Sequence, residues 1–192
     1  MNYYKKQPAF SMLELVFVIV VIAILASLAI PRMERDYRSE ARRNIVSALR
    51  YTQHMALIDD VRDPFDSSWQ SKMWHISFSA DGSNYTISSN GSFAVDTTDG
   101  KLVDGTATGT PHARLGKKYG ISGVSRSGGC TGRLVAFDSL GRPHGSLPNA
   151  GTAPNYASYM SSDCVLTFSF IQTDISDLVV TIAQETGRIS AN

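Results

Sequence analysis

The sequence predicts an α+β chain: a long N-terminal helix, membrane-spanning over its first half, packed on a β-rich globular head. Three observations predict it. An almost unbroken apolar run occupies residues 10–30, and helical spacing of apolar residues continues toward residue 58. From residue 74 onward the apolar residues fall into short runs separated by Gly- and Asp-rich turns. Composition sets the outer bounds. The 192 residues carry 18 Lys and Arg against 17 Asp and Glu, so global charge points to no polyanionic partner. An apolar content of 43% excludes a disordered chain, and a mean hydropathy near zero excludes several membrane spans.

The run over 10–30 is broken only by Ser11, Glu14 and Ser27. As a helix it would reach ~31 Å at ~1.5 Å per residue, close to the ~30 Å hydrocarbon layer of a bilayer. The β-branched residues of 16–22 would favour a strand in water. In lipid a lone strand leaves its backbone groups unpaired, so a single span has to be helical. The preceding residues 1–9 carry Lys5 and Lys6 and no acid. A cleaved secretory signal would have a shorter apolar stretch and a small-residue cleavage site beyond it, whereas Pro31-Arg32 follows here, so a signal anchor fits better. Charge leaves the orientation open, because the arginines between Arg32 and Arg50 outweigh the leader lysines. Two cysteines in the remaining chain favour an oxidising compartment.

Glu14 is the fifth residue of the apolar run. A carboxylate in hydrocarbon is costly and reads as functional, unless it snorkels to the headgroups with help from the positive helix end. Its neighbours carry a resemblance. Lys5-Lys6-Gln7-Pro8-Ala9, then Phe10-Ser11-Met12-Leu13-Glu14-Leu15, the aliphatic run and Pro31 resemble the N-terminus of type IV pilins and type II secretion pseudopilins. The resemblance implies cleavage between Ala9 and Phe10 by a prepilin peptidase, methylation of the Phe10 amine, an assembly role for Glu14 and a helix bend at Pro31. It also places the leader in the cytoplasm and the rest outside. The family usually has Gly before the cut; Ala9 is small enough for the same pocket. Cleavage would expose a cation at Phe10, which Glu14 of a neighbouring subunit can meet along a helix bundle. Desolvation consumes part of that attraction, so the pair fixes register while aliphatic packing supplies cohesion.

Beyond Pro31, residues Ile45, Ala48, Leu49, Met55 and Ala56 keep helical spacing, with Tyr51 and Thr52 between them. The cluster Arg38, Arg42 and Arg43 reads as a solvated or headgroup-facing surface, or as contacts to neighbouring subunits. Asp63-Pro64 ends the helix. The four aspartates of 59–66 lack the ligand alternation of a calcium loop and read as a solvated helix terminus. Strands are expected at 74–80 and 85–89, a hairpin about Asp81-Gly82-Ser83-Asn84, and at 93–95, 133–137, 165–170 and 178–183. Residues 105–132 and 141–163 are expected to be loop-rich. The segments Phe137-Asp138-Ser139-Leu140-Gly141-Arg142-Pro143 and Leu178-Val179-Val180-Thr181-Ile182, with Thr186-Gly187-Arg188-Ile189, look like those of GspH/FimT-type minor pseudopilins. That family has a long N-terminal helix and a β-rich head. The expected organisation is a cleaved leader at 1–9, a transmembrane and assembly helix at 10–30, a stem helix packing on the head at 31–60, and a β-rich periplasmic head at 61–192.

Cys130 and Cys164 each precede an expected strand. If those strands are neighbours, a disulfide joins them across a loop of about 35 residues; otherwise both are buried thiols. The histidines His54, His75, His112 and His144 are isolated, and no nucleophile elbow, phosphate loop or dinucleotide fingerprint is present, so no metal, cofactor or enzymatic activity is expected. Basic residues gather in one segment: Arg114, Lys117, Lys118, Arg126 and Arg133, with His112 and Tyr119 among them. They read as a surface mating an acidic neighbour, including the Asp-rich segment of another subunit, or as a loop gripping a nucleic-acid backbone. The expected function is a structural minor pseudopilin, assembled from the inner membrane into a type II secretion or type IV pilus-like filament. Its expected partners are other pilins and pseudopilins, the prepilin peptidase, the inner-membrane assembly platform and membrane lipid. The alternatives are a competence pseudopilin that binds DNA through the basic loop, and a membrane-anchored extracytoplasmic enzyme.

Overall fold

The computed structural model describes residues 11–130 and 132–192, and within 28–36 the backbone alone. The chain forms two compact units, residues 1–36 and 37–192. One helix, α1 (Met12–Ile58), contributes to both. Among the described residues of the first unit its apolar side chains are exposed: Met12 88%, Phe17 66% and Leu25 61%. Apolar residues on every face mark a helix made for apolar surroundings rather than for one side of a core. Among the described residues no helix is long and apolar enough to cross a membrane. The run at 10–30 extends past the described side chains at both ends, which begin at Ser11 and break off after Ser27. The helical backbone continues through Pro31, whose side chain lies outside the described residues, as do the expected events at Ala9 and Phe10.

In the second unit α1 turns amphipathic. Ala41, Ile45, Ala48, Leu49, Thr52 and Ala56 form one buried stripe at steps of three and four residues. Thr52 fits it because its hydroxyl donates to the Ala48 carbonyl at 2.8 Å. The stripe packs into a core shared with two antiparallel sheets. The first sheet contains β1 (His75–Phe78), β2 (Tyr85–Ser89), β3 (Ser92–Phe93), β5 (Leu134–Phe137) and β6 (Pro143–His144), in the order β3-β2-β1-β5-β6. The second contains β4 (Ile121–Gly128), β7 (Cys164–Phe170), β8 (Leu178–Ile182) and β9 (Ile189–Ala191), in the order β4-β7-β8-β9. The β1–β2 hairpin forms about the expected turn, with Gly82 in the left-handed region at φ +69°. Phe78 of the first sheet meets Phe168 of the second edge-on, ring centroids 5.5 Å apart.

Two expectations change. Residues 105–132 are not mainly loop: they hold a short helix, α2 (Leu115–Tyr119), and β4, the longest strand. The β4 sequence Ile-Ser-Gly-Val-Ser-Arg-Ser-Gly has no apolar alternation to announce it. It is a strand because it pairs along the whole of β7, with a bulge between Ile121 and Gly123. The strands following the two cysteines, β5 and β7, lie in different sheets. The Cys130–Cys164 disulfide instead joins the chain just past β4 to the first residue of β7, where Gly128 and Cys164 stand in register.

Two glycine turns meet the helix. The Gln53 amide donates to the carbonyls of Gly141 (2.8 Å) and Gly187 (3.4 Å). Gly187 is left-handed at φ +64°, and a Cβ there would run into the Gly141 carbonyl oxygen and the Gln53 amide. Both the turn and the close approach therefore require glycine.

Replacing Cys130 and Cys164 together by Ser is expected to lower the unfolding free energy by about 3–4 kcal/mol, from the chain entropy released when a loop of this length opens. Urea melts of the full-length protein measure it. Reductant should reproduce the loss in the native chain and leave the double variant unmoved.

Candidate functional site

At the start of α1, Ser11 is the N-cap. Its side-chain oxygen accepts from the Glu14 N–H at 3.2 Å, and its carbonyl accepts from the N–H groups of Glu14 (3.1 Å) and Leu15 (3.2 Å). Glu14 thus occupies the third helical position, where a carboxylate interacts favourably with the positive helix end. Ser-x-x-Glu ahead of an apolar run is a capping-box pattern, a signal legible in the sequence that the reading of Glu14 as a buried charge passed over. The Glu14 side chain is exposed.

In the second unit two arginines of α1, Arg38 and Arg42, bond within the chain. Arg38 donates to the carbonyls of Ser176 (3.0 Å) and Asp177 (3.1 Å) and to the Asn192 side chain (2.9 Å). Arg42 donates to the Ala191 carbonyl at 2.8 Å. These two residues tether the helix to the β7–β8 connection and to β9, while Arg42 stays exposed and Arg38 half-buried. Arg43 makes no such bond among the described residues and lines a cleft of about 370 Å³ with Glu40, Tyr51, Tyr85, Asp96 and His112. Burial pushes the Tyr85 hydroxyl above the ordinary tyrosine range, the Asn44 hydrogen bond opposing the shift.

The five basic residues of the 105–133 segment fall into two groups. Arg114, Lys117 and Lys118 line one concavity of about 320 Å³ beside Pro111. Lys118 is held there, with Nζ 2.9 Å from His112 Nδ1 and 5.3 Å from the centre of the Tyr119 ring. Arg126 lies instead over the Phe78 ring at 6.0 Å. Burial, then the neighbouring Arg133 charge, lower its affinity for a proton. Arg133 lines a different concavity, with Phe78 and Asp104.

The acidic segment 59–66 is also occupied internally. Asp59 accepts from the Trp74 indole N–H at 2.8 Å, Asp60 pairs with Arg62 at 2.7 Å, and Asp66 pairs with Lys72 at 2.5 Å. The segment is the largely exposed helix terminus expected, with Asp59, Asp60 and Asp63 exposed, and three of its four carboxylates have side-chain donors. Among the described residues no group of three metal-ligating side chains comes together.

The most buried polar cluster centres on Asp138, in the turn between β5 and β6. Its carboxylate accepts from the Leu140 and Arg142 N–H groups (3.0 and 2.9 Å), from Arg142 Nε (2.8 Å) and from the Tyr159 hydroxyl (3.3 Å). The Arg142 guanidinium lies over the Tyr159 ring at 4.6 Å. His144 is fully buried, with Nδ1 2.8 Å from Ser158 Oγ and Nε2 3.8 Å from the Asp138 carboxylate. Burial alone would raise the Asp138 carboxyl. The facing His144 and the donors of Arg142 and Leu140 outweigh it and hold the group well below the usual carboxylate range. The cluster closes a turn and presents no nucleophile to solvent.

Residues 4–30 match the family model of the prokaryotic N-terminal methylation motif. The match takes in the basic residues of the leader, Phe10, Glu14 and the apolar run. The chain thus carries this motif at the start of an α+β fold, an arrangement consistent with type IV pilin-like chains and pseudopilins. No curated protein and no solved structure matches the chain.

Because the Asp138 carboxyl is depressed in the folded state, its contribution to stability is fully present above the unfolded-state value of ~3.9 and is lost as pH falls below it. Asp138→Asn is expected to cost about 1.5–3 kcal/mol at neutral pH and to flatten the acid branch of the stability curve. Urea melts of wild type and variant between pH 7 and pH 3 measure both effects.

Proposed function

We propose that this chain is a minor pseudopilin of the GspH/FimT type: a structural subunit assembled from the inner membrane into a type II secretion or type IV pilus-like filament. One observation carries the reading. The methylation motif at 4–30 runs into a helix whose later turns, from Ala41 to Ala56, are built into a β-rich domain. In this reading the prepilin peptidase cuts between Ala9 and Phe10 and the new Phe10 amine is methylated. The apolar residues of 12–25, exposed on every face, then lie in the bilayer and afterwards among the helices of other pilins and pseudopilins. The Ser11 cap holds Glu14 in the first helical turn, beside the end that carries the new amine, where a neighbouring subunit's amine can pair with it. Pro31 bends the helix between the assembly segment at 10–30 and the stem at 31–60. The head, residues 61–192, stands in the periplasm, where its disulfide is stable. The inner-membrane assembly platform extracts the processed subunit.

A second reading, a DNA-uptake subunit, draws on the shared concavity of Arg114, Lys117 and Lys118. Its DNA affinity would fall steeply with added salt.

The native chain purified from membranes is expected to lack residues 1–9 and to carry one additional methyl group, on Phe10. Intact mass and N-terminal fragmentation decide this, and a working protein that retains residues 1–9 overturns the reading. Glu14→Ala should leave cleavage intact and abolish incorporation into filaments; normal incorporation removes Glu14 from the assembly step.

A further inference from the structure

The face of α1 nearest β9 and the outer edge of that strand enclose a groove of about 540 Å³. β9 ends the second sheet, so one of its edges pairs with β8 and the other is open. The register decides which backbone groups face outward. The Ala183 N–H donates to the Arg188 carbonyl, and the Asn192 N–H donates to the Val179 carbonyl. These are hydrogen-bonded positions of an antiparallel ladder, and by alternation the Thr181–Ser190 pair between them is a third. Ile189 and Ala191 therefore turn their N–H and C=O groups away from β8. The Ala191 carbonyl is taken by Arg42. The Ile189 N–H and C=O and the Ala191 N–H have no hydrogen-bond partner among the described residues. Across the groove stand Arg42, Arg43 and Arg50, none with a carboxylate within 4.0 Å among the described residues.

We infer that this groove receives an extended acidic segment of a partner protein, which adds as a strand to the open edge of β9 while its carboxylates meet Arg43 and Arg50. Two independent features select that occupant. The free backbone groups recur at two-residue spacing, which an extended peptide matches. The wall opposite them carries Arg42, Arg43 and Arg50 beside Val46 and Ser47 and includes no acid, so the complementary side chains are Asp or Glu. A nucleic-acid phosphate backbone would use the arginines but leave the Ile189 and Ala191 groups unpaired. The Asp-rich segment 59–66 of a second copy is disfavoured as the occupant, because Asp59, Asp60 and Asp66 already accept from donors within their own chain. The inference does not depend on the filament reading, because the groove lies wholly within residues 37–192.

The test uses the full-length chain in detergent and a fluorescein-labelled peptide of alternating Val and Glu, about eight residues long. Anisotropy should report binding of this peptide and none of its Val-Lys counterpart. N-methylation of alternate backbone nitrogens, on the edge that would pair, should weaken binding about tenfold or more, a change of ~1.4 kcal/mol. Arg43→Gln with Arg50→Gln should produce a loss of similar size. So should Ala191→Pro, which removes a donor on the open edge and leaves the β8 ladder intact. Each variant is compared at an unchanged melting temperature. If Ala191→Pro does not fold, the N-methylated peptide decides the strand addition alone. Absence of binding overturns the inference, as does an N-methylated peptide that binds as tightly as its parent. A single-stranded oligonucleotide that displaces the peptide and binds the Ala191→Pro variant undiminished would assign the groove to nucleic acid instead.

Discussion

Burial of one stripe of α1, Ala41 through Ala56, is the contact around which residues 37–192 are organised. The five- and four-stranded sheets each need their apolar faces covered, and neither is connected to the other by a shared strand. The stripe, the inward residues of both sheets and the Phe78–Phe168 contact form one apolar core. Small residues at 41, 48 and 56 alternate along the stripe with Ile45 and Leu49, so backbone and sheet can approach closely on one turn and interdigitate on the next. The latter half of α1 is stabilised chiefly by tertiary packing of its amphipathic face.

Directional contacts then fix where on the helix each loop sits. Arg38, Arg42 and, about three turns further on, Gln53 reach backbone carbonyls of the β7–β8 connection, β9 and the two glycine turns. Carbonyls at strand ends and turns lack a ladder partner, and a long cationic or amide side chain supplies one. The glycines at 141 and 187 follow from the same geometry, since Gln53 bridges two turns that come closer than a side chain would permit. The Asp138 cluster completes the arrangement by anchoring the β5–β6 turn through a buried carboxylate that accepts from the Leu140 and Arg142 N–H groups.

The first unit follows the opposite rule. Its described apolar side chains are exposed, and leaving so much hydrocarbon in water is unfavourable in proportion to its area. Such a surface calls for lipid or for other helices. The methylation motif lies over this same segment. The motif and the physical need of the helix are together consistent with a membrane-anchored N-terminus. The second unit presents an arginine-lined groove beside β9 and a lysine-bearing concavity at α2.

Local patterns carried much of this. The apolar run, the helical spacing of Ile45, Ala48, Leu49 and Ala56, the Asp81–Asn84 hairpin and the strands β7 and β8 depend on neighbours within a few residues, and a linear reading finds them. The Ser11–Glu14 cap was equally local and was available to the same reading. Sheet order was not. β4 has a Gly- and Ser-rich sequence with no alternation, and it is a strand because β7 supplies hydrogen bonds along its length. The partner strand of Cys130, the tethering role of Arg38 and Arg42, and the division of five basic residues into two groups all turn on which segments are brought together across more than thirty residues of chain. Residue type and spacing prescribe what a segment can bury or donate. Which distant carbonyl, ring or carboxylate it meets depends on long-range pairing, where the free energy is shared by both partners and written in neither.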